Sequence, residues 1–461
     1  MKDLLHLACE RALEFRRSLP DRPVGAQADL EALRKSLSMP LPEAGEDPVR
    51  VIEALIRNAG PGLIAQPGPR FFGFVIGGSS EVSVAADWLT SAWDQNAGLY
   101  ATSPALAVVE ETTARWILEL LGLPPECGVG FVTGCQMAHF TCLAAARGEL
   151  LRRAGWNVEA EGLQGAPWLH VVAGEEAHVT VHRALRFLGL GSARVRTVPT
   201  DGQGRMATPA LRDVLARLEG PVIVCAQAGN VNTGAFDPLA EIAAVCAARG
   251  AWLHVDGAFG LWAASAPALR HLVDGMALAD SWATDAHKWL NVPYDSGLAI
   301  VKDPRAHRAA MTVNAAYLIQ QEGAARDAVD WGPEFSRRAR GFPLYAQLRA
   351  LGRSGLAELV ARSCALAGRA GEGFAGIQGA AVLNEVVLNQ VLVRFTPIDG
   401  GDADAFTRRV VERVQRDGTC WLSGSTWKGL GVMRFSVCGQ DTTEEDIDRS
   451  VAAVAAAVGA G

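Results

Sequence analysis

The segments AWLHVDGAFG (251–260) and SWATDAHKWLNVPYDSGL (281–298) decide the fold of this chain. The first opens with an apolar run that predicts a short buried strand ending at Asp256, and its small residues Gly257, Ala258 and Gly260 let the backbone approach a neighbouring group closely. The second places Lys288 after a further strand-like run and before a turn rich in proline, aspartate and glycine. Both side chains therefore follow strands of an α/β sheet, in which ligands bind at the carboxyl ends of the strands.

The two side chains favour one kind of chemistry. Lys288, enclosed between a histidine and a tryptophan, is expected to be desolvated, which lowers the pKa of its amine and favours a Schiff base. A buried Asp256 can keep a pyridinium nitrogen protonated. A lone Asp or Lys is ordinarily a solvated surface charge, but the coherent segment DAHKWLN (285–291) argues against that interpretation. Together the two residues indicate pyridoxal phosphate (PLP) as the cofactor.

Length and composition are typical of a soluble enzyme with a large core and a smaller second domain. The 461 residues are 49% hydrophobic and carry a net charge of −7 without any basic run, so we expect no nucleic-acid partner. Residues 1–17 predict an amphipathic helix rather than a signal peptide, and no apolar stretch reaches about 18 residues, so we expect no membrane association and a cytoplasmic location. The nine cysteines form no CxxC pair and the histidines lack ligand spacing, which predicts free thiols and no metal site.

A third segment, GVGFVTGCQMAHFTCLAAAR (128–147), is the candidate for binding the phosphate. It predicts a strand, a tight turn at 133–136 and a helix that begins at Met137. The N–H groups and the dipole at the start of such a helix attract an anion. Strand–glycine–helix junctions are common in α/β proteins, so the junction alone is weak evidence for phosphate binding. Its position upstream of Asp256 and Lys288 makes that interpretation stronger.

Other candidates lie after two further predicted strands. His178 falls at a strand-to-helix junction, where a helix-capping or exposed histidine is an ordinary finding. The β-branched run 222–226 predicts a buried strand, and the polar loop after it would bring Asn230 and Asn232 to the edge of the cofactor beside Asp256.

Nearly the whole chain resembles the group II pyridoxal-dependent decarboxylases of fold type I, which include aromatic-L-amino-acid, glutamate and histidine decarboxylases. The segments around Asp256 and Lys288 carry the resemblance, supported by the pattern SPA…E…W…LGLP (103–124). It implies a PLP-dependent transferase fold with a large doubly wound α/β domain, a mostly parallel sheet and a small C-terminal α+β domain, and a homodimer with shared active sites. The expected domains are an N-terminal dimerising helical segment (1–85), a PLP-binding domain (86–345) and a small domain (346–461).

The resemblance also assigns roles to single residues. Lys288 is the expected Schiff-base lysine, Asp256 the partner of the pyridine nitrogen, and His178 the residue stacked on the ring near the substrate carboxylate; these three are the expected catalytic residues. The expected cofactor-binding residues are Gly134, Cys135, Gln136, His178, Asn230, Asn232, Asp256, Ala258, His287 and Lys288, with His287 and the turn at the phosphate. Phe72 and Phe74, in the run RFFGFVIGGSS (70–80), are the expected aromatic wall of the substrate pocket, although an ordinary core strand fits that run equally well.

The resemblance implies α-decarboxylation of an L-amino acid, and the aromatic run favours an aromatic or apolar side chain. Alternatives on the same scaffold are an aldolase or another carbon–carbon lyase, and an aldehyde-forming decarboxylase. A further alternative is an aminotransferase, in which Arg434 would bind the substrate carboxylate, so Arg434 is also a candidate substrate residue. A non-catalytic scaffold would not need Asp256, Lys288 and His178 together, so their presence argues against it.

The sequence departs from the family pattern at two places. Relatives usually carry small hydroxyl residues after the glycine of the phosphate turn, whereas this chain has Cys135 and Gln136, so backbone amides would carry more of the phosphate contact. The resemblance identifies the polar segment 311–340 as a mobile lid. Alignment on its tryptophan and arginine pair leaves Ala328 where aromatic-amino-acid decarboxylases carry a tyrosine that donates a proton after CO₂ leaves. Slow decarboxylation or diversion to other products is then expected, unless Tyr317 or a histidine supplies the proton.

Overall fold

The computed structural model describes residues 4–312 and 326–460. Its helices are α1 (Leu4–Ser18), α2 (Leu30–Leu37), α3 (Pro48–Ala59), α4 (Glu81–Trp93), α5 (Pro104–Leu121), α6 (Cys135–Arg153), α7 (Val158–Glu161), α8 (Val179–Phe187), α9 (Thr208–Ala216), α10 (Leu239–Arg249), α11 (Pro304–Met311), α12 (Gly341–Ala375), α13 (Ala403–Asp417) and α14 (Glu444–Gly459). Its strands are β1 (Gly128–Val132), β2 (His170–Gly174), β3 (Arg196–Val198), β4 (Val222–Gln227), β5 (Trp252–Asp256), β6 (Ser281–Asp285), β7 (Gly297–Val301), β8 (Ala380–Val382), β9 (Gln390–Phe395), β10 (Ser423–Trp427) and β11 (Leu430–Ser436). Among the described helices, none combines the length and the apolar character needed to cross a membrane.

The larger sheet has the strand order β1-β7-β6-β5-β4-β2-β3. Strand β2 pairs in parallel with β3 and β4, β4 with β5, and β5 with β6, whereas β7 runs antiparallel to β6 and β1. Strands β1, β4, β5, β6 and β7 are buried throughout, as in sheets that helices cover on both faces. The mostly parallel sheet confirms the expected α/β fold class.

The parallel pair β5 and β6 places two acidic residues at one edge of this sheet. Asp256 ends β5 and lies opposite Ala283, and Asp285 ends β6 two positions further along the neighbouring strand. Helix α6 packs on β6 and β7, where the buried thiol of Cys142 lies 3.4 Å from the carbonyl of Trp282. The ends of both strands are therefore held by the core of the sheet.

Two glycines allow the backbone contacts around this edge. A Cβ on Gly260 would collide with the carbonyl oxygen of Ala228, so the segment after β5 can approach the segment after β4 only because Gly260 lacks one. Gly297, at the start of β7, faces the backbone of Gly134 in the same way. The close backbone approach expected after β5 is confirmed.

The described chain divides into two compact units. The small unit comprises the described parts of Met1–Gly78, Leu366–Leu383 and Val391–Gly461, and the large unit comprises those of Ser79–Ala365 with Asn384–Gln390. This grouping differs from the expected domains 1–85, 86–345 and 346–461. The difference arises because residues near the N-terminus share a hydrophobic core with Trp421 near the C-terminus.

The small unit is an α+β structure with the strand order β10-β11-β9-β8, as expected. Strand β10 pairs antiparallel with β11, and β8 pairs antiparallel with β9. The ring of Phe71 stacks on Trp421 with 4.9 Å between centroids, and the buried guanidinium of Arg70 pairs with Asp446 at 3.1 Å. All nine cysteines of the chain are free thiols, which confirms that prediction.

Candidate active site

Lys288 lies three residues beyond the end of β6, beside the carboxylate of Asp285. Its Nζ is 3.0 Å from Asp285 Oδ2. Burial alone would lower the pKa of the Lys288 ammonium, but the charge and hydrogen bond of Asp285, together with the neighbouring Cys135 and Asp256, raise the pKa above the ordinary value of a lysine. The expectation of a lowered lysine pKa was therefore wrong for the protein without cofactor, because sequence analysis did not consider the acidic residue three positions earlier.

Asp285 also occupies the N-terminal end of α6. Its Oδ1 accepts a 2.6 Å hydrogen bond from the backbone N–H of Cys135, the first residue of the helix. The prediction that this helix begins at Met137 was wrong by two residues, with Gly134 as the N-cap. A carboxylate of the protein itself thus accepts a hydrogen bond at the start of this helix, and phosphate binding at the turn stays a prediction.

The phosphate turn is closely packed against His287. A Cβ on Gly134 would lie 2.9 Å from Cε1 of His287, so the position requires glycine or a shift of the histidine ring. The imidazole of His287 accepts a 3.1 Å hydrogen bond from the N–H of Ser296 at Nδ1, and its Nε2 lies 3.4 Å from Asp285 Oδ1. Burial is the main reason that the pKa of His287 is lowered, so this ring is neutral near pH 7.

Gln136 links the same turn to the start of α8. Its Nε2 donates to the carbonyl of Thr180 at 3.3 Å, whereas its buried Oε1 has no hydrogen-bond partner among the described residues. A buried polar atom without a protein partner is free to accept a hydrogen bond from a ligand or a water. The turn therefore retains unused hydrogen-bonding capacity beside the predicted phosphate position.

Asp256 presents a buried carboxylate at the end of β5. Its Oδ1 accepts a 3.2 Å hydrogen bond from the N–H of Ala258 and lies 3.8 Å from Cys135 Sγ, and its Oδ2 lies 3.5 Å from His139 Nε2. Burial by itself raises the pKa of Asp256, but its neighbours His139, His178 and Lys288, with His139 first, together hold it below the usual range. The side chain is therefore a buried anion, as a partner for a protonated ring nitrogen must be.

His178 is the N-cap of α8, which is the ordinary role that the sequence allowed. Its Nδ1 accepts from the backbone N–H of Thr180 at 3.4 Å and lies 2.7 Å from the hydroxyl oxygen of the same residue. His178 and Lys288 also contribute to the lowered pKa of Asp256. His178 and Lys288 therefore both lie within electrostatic reach of Asp256.

The polar loop after β4 is organised by Asn230. The side-chain oxygen of Asn230 accepts from the N–H groups of Asn232 and Thr233 at 2.9 and 3.2 Å, and its amide donates to Gln227 at 3.2 Å. The side chain is thus used to build the turn. A cofactor contact by Asn230 or Asn232 stays a prediction.

The three candidate substrate residues belong to the small unit. Phe72 is 1% exposed and stacks on Phe435 at 4.0 Å, which is the packing of a core side chain, whereas Phe74 is 56% exposed. Arg434 is buried on β11, burial lowers the pKa of its guanidinium to about 10, and its Nε has no hydrogen-bond partner among the described residues. A buried cation with an unused donor suits a carboxylate ligand, and the substrate roles of all three residues stay predictions.

The described end of the predicted lid is fixed to the large unit by ion pairs. Arg337 pairs with buried Glu110 at 2.6 Å, and Arg308 pairs with Asp330 at 2.8 Å. Ala328 begins a short 3₁₀ turn, Ala328–Asp330, next to these contacts. Tyr317, the alternative proton donor named from the sequence, lies outside the described residues.

Sequence reasoning missed two residues of this site, Asp285 and His139. Asp285 stands inside the segment that had been singled out, so its acidic side chain three positions before Lys288 was the available signal. His139 lies four residues after Cys135 on α6, a spacing that puts both on one helix face above Asp256. The geometry as a whole fits PLP, since it offers an amine, a buried carboxylate for a ring nitrogen and a helix start for a phosphate.

Residues 31–395 match the family model described as the pyridoxal-dependent decarboxylase conserved domain. The chain belongs to this family. It is 28% identical over 457 residues to the aromatic-L-amino-acid decarboxylase of Bacillus atrophaeus, covering 96% of this chain and 93% of that protein. It is 30% identical over 437 residues to the acidic amino acid decarboxylase GADL1 of Mus musculus, covering 91% of this chain and 78% of that protein.

A solved structure shows the same architecture. The crystal structure of Rhodiola rosea 4-hydroxyphenylacetaldehyde synthase superimposes with a TM-score of 0.87 at 25% identity, covering 99% of this chain and 97% of that one. The family, the fold, the cofactor PLP and the reaction class, decarboxylation of an amino acid by a carboxy-lyase, are thereby confirmed.

Proposed function

We propose that this decarboxylase acts on an aromatic L-amino acid, with Lys288, Asp256 and His178 as its catalytic residues. The observation that carries the residue assignment is the pairing of β5 and β6, which brings the buried Asp256 and the Lys288–Asp285 pair to one edge of the sheet. The aromatic substrate is supported by the similarity to the Bacillus atrophaeus enzyme over nearly the full length of both chains.

Each residue has a role that follows from its surroundings. When bound, PLP supplies an electron sink for the electron pair that CO₂ leaves behind. Lys288 would bind the cofactor through its amine, and Asp256, held ionised, would keep a proton on the ring nitrogen. The hydrogen bonds between His178 and Thr180 hold the imidazole in one orientation at the mouth of α8.

A panel of amino acids, assayed for CO₂, amine, aldehyde and keto acid, tests this proposal. We expect CO₂ from phenylalanine, tyrosine or tryptophan and no keto acid. Turnover confined to aspartate, glutamate or related acids would contradict the aromatic assignment, and the GADL1 relative makes that class the relevant competitor. Keto acid without CO₂ would instead indicate transamination.

Asp285 controls the state of Lys288 before the cofactor binds, and this gives a prediction. An amine attacks an aldehyde only in its neutral form, and the charge of Asp285 raises the pKa of Lys288, so the neutral fraction near pH 7 is small. Asp285→Asn keeps an acceptor for the Cys135 N–H but removes the charge. We expect the apoenzyme to bind PLP faster, by about tenfold for each unit by which the lysine pKa falls.

Stopped-flow absorbance after mixing apoenzyme with PLP, repeated at several pH values, measures this rate. Asp280→Asn is the matched control, because Asp280 precedes β6 and accepts a backbone bond from Leu253 at 2.8 Å rather than contacting Lys288. Equal rates in wild type and Asp285→Asn at every pH would show that the ion pair does not limit cofactor binding.

An aldehyde-forming decarboxylase is the second candidate function, and Ala328 is the observation that favours it. The carbon that loses CO₂ must gain a proton to become an amine, and alanine cannot donate one. Diversion by dioxygen to aldehyde, ammonia and hydrogen peroxide would then compete with amine formation. The superimposed Rhodiola rosea protein is named as an aldehyde synthase, which supports testing this outcome.

Ala328→Tyr should raise the ratio of amine to aldehyde by roughly tenfold or more, since a positioned general acid contributes about 10²–10⁴-fold. Ala328→Phe is the matched control, because it adds the same ring without the hydroxyl. Product analysis with simultaneous measurement of oxygen uptake checks the result. Fast and clean amine formation by the unmodified protein, unchanged in Ala328→Tyr, would place the proton donor elsewhere.

We further propose that the protein is a homodimer. Helix α4 of the large unit leaves Trp88, Leu89 and Trp93 exposed by 38%, 48% and 50%, and exposed apolar patches mark contact surfaces. Sedimentation velocity should give a dimer for wild type and an inactive monomer for Leu89→Glu. Leu278→Glu, at a residue that is 61% exposed outside this helix, should leave the dimer intact. A fully active wild-type monomer would refute the proposal.

A further inference from the structure

A row of buried polar side chains leads from Asp256 into the interior of the large unit. Nε2 of His139 lies 3.5 Å from Asp256 Oδ2, and Nδ1 of His139 lies 2.9 Å from Nε2 of His254. Nδ1 of His254 lies 2.9 Å from Ser281 Oγ, to which the indole N–H of Trp252 also donates at 2.9 Å. We call these four residues behind Asp256 the histidine relay.

The fold explains why the relay is continuous. Trp252, His254 and Asp256 are alternate residues of β5, so their side chains share one face of the strand. Ser281 is the residue of β6 directly opposite His254, and α6 covers this face with His139. Both histidines are fully buried, and a buried imidazole without partners would be strongly destabilising.

The donors and acceptors at the two ends set the direction of the relay. The indole of Trp252 can only donate, and the ionised Asp256 can only accept. Burial, together with the neighbouring His139, lowers the pKa of His254 to about 3, so this ring is neutral and carries one proton. One arrangement satisfies every atom: Ser281 donates to Nδ1 of His254, Nε2–H of His254 donates to Nδ1 of His139, and Nε2–H of His139 donates to Asp256.

The thiol of Cys135 completes the surroundings of the carboxylate. Its Sγ lies 3.5 Å from His139 Nε2 and 3.8 Å from Asp256 Oδ1. Burial, with the charges of Asp285 and Asp256, raises the pKa of this thiol, so it stays protonated and can only support the anion as a weak donor. Hydrogen bonds aligned in one direction strengthen one another in a low-dielectric interior, so the relay as a unit favours the ionised form of Asp256.

We propose that His139 is a positioning residue which, supported by His254 and Ser281, holds the Asp256 carboxylate ionised and oriented so that the ring nitrogen of PLP stays protonated. The inference rests on the proposed role of Asp256. Removal of the His139 donor would leave one carboxylate oxygen without its partner, which favours protonation of Asp256 itself. A protonated Asp256 no longer stabilises a positive ring nitrogen, so the electron sink is weakened.

The test uses holoenzyme loaded with PLP that carries ¹⁵N at the ring position, because the ¹⁵N chemical shift reports protonation of that nitrogen directly. In His139→Leu we expect the ratio of protonated to neutral ring nitrogen to fall by at least about tenfold, equivalent to one pKa unit. His139→Gln, whose amide can still donate to Asp256, should restore most of the protonated signal. The value of kcat should follow the protonated fraction, while KM changes little.

The control is His307→Gln, because His307 is also a fully buried histidine but contacts the carbonyl of Trp331, at 3.1 Å, rather than the relay. It should leave the ¹⁵N shift unchanged. All these His139, His307 and Ser281 variants keep His178 and Lys288, the other two side chains that lower the pKa of Asp256. If His139→Leu does not fold, Ser281→Ala, a smaller change at the far end of the relay, should move the shift in the same direction.

The variant Asp256→Asn distinguishes a failure of the relay proposal from a failure of the proposed role of Asp256. If Asp256→Asn lowers the protonated fraction but His139→Leu and Ser281→Ala do not, the relay proposal is overturned and the role of Asp256 stands. If Asp256→Asn also leaves the ring nitrogen fully protonated, the proposed role of Asp256 itself is wrong. A fall in both Asp256→Asn and His139→Leu, with recovery in His139→Gln, is the result that the relay requires.

Discussion

Lys288→Ala should abolish decarboxylation and remove the visible absorbance of lysine-bound PLP, while the protein stays folded. The reason is that Lys288 supplies the amine at the buried edge of the sheet, whereas its side chain contributes little to the hydrophobic core. Release of ¹⁴CO₂ from labelled amino acid measures activity, absorbance measures cofactor attachment, and thermal unfolding measures the fold. Wild-type rates in this variant would end the proposed assignment.

Two further variants distinguish the reactive amine of Lys288 from its positive charge beside Asp285. Lys288→Arg keeps a cation beside Asp285, so it should retain the stability of the ion pair but not the activity. Lys302→Ala, which removes the lysine that follows β7, should retain both. If Lys288→Arg were active, the amine could not be the group that binds the cofactor.

The sequence was sufficient to identify the parts of the site that depend on neighbours along the chain. Asp256 and Lys288 each end or follow an apolar run, and a buried parallel strand is readable from such a run alone. The structure places Asp256 at the end of β5 and Lys288 three residues beyond the end of β6, as the pattern predicted.

The sequence could not show contacts between distant segments. His139 and Asp256 are 117 positions apart in the sequence and come into contact because α6 packs on β5. No local sequence pattern predicts that packing. The prediction of a lowered pKa for Lys288 was wrong for a related reason. The sequence indicated that the lysine is buried, but the effect of a nearby charge depends on its distance, which here is 3.0 Å to Asp285. The two compact units differ from the expected domains because contacts between residues far apart in the chain, such as Phe71 and Trp421, produce no periodic pattern in the sequence.

Asp256→Ala should slow decarboxylation by on the order of 10²-fold or more while PLP stays bound through Lys288. The lost carboxylate is the buried anion proposed to keep the ring nitrogen protonated, and a neutral ring accepts the electron pair from the breaking bond less well. The loss should appear in kcat with little change in KM, because the interaction strengthens as the bond breaks. Single-turnover kinetics with CO₂ detection, together with cofactor content by absorbance, checks both parts.

Asp237→Asn is the matched control for this prediction. Asp237 is another buried carboxylate of the large unit, but among the described residues its hydrogen-bond donors are the backbone N–H groups of Met206 and Gln227, both at 2.7 Å, and burial raises its pKa to about 6. Its replacement should affect stability more than kcat, so a specific loss of kcat in Asp256→Ala cannot come from burial of a carboxylate in general. Unchanged single-turnover rates in Asp256→Ala would mean that Asp256 is structural, and the histidine relay behind it would then serve the fold rather than the reaction.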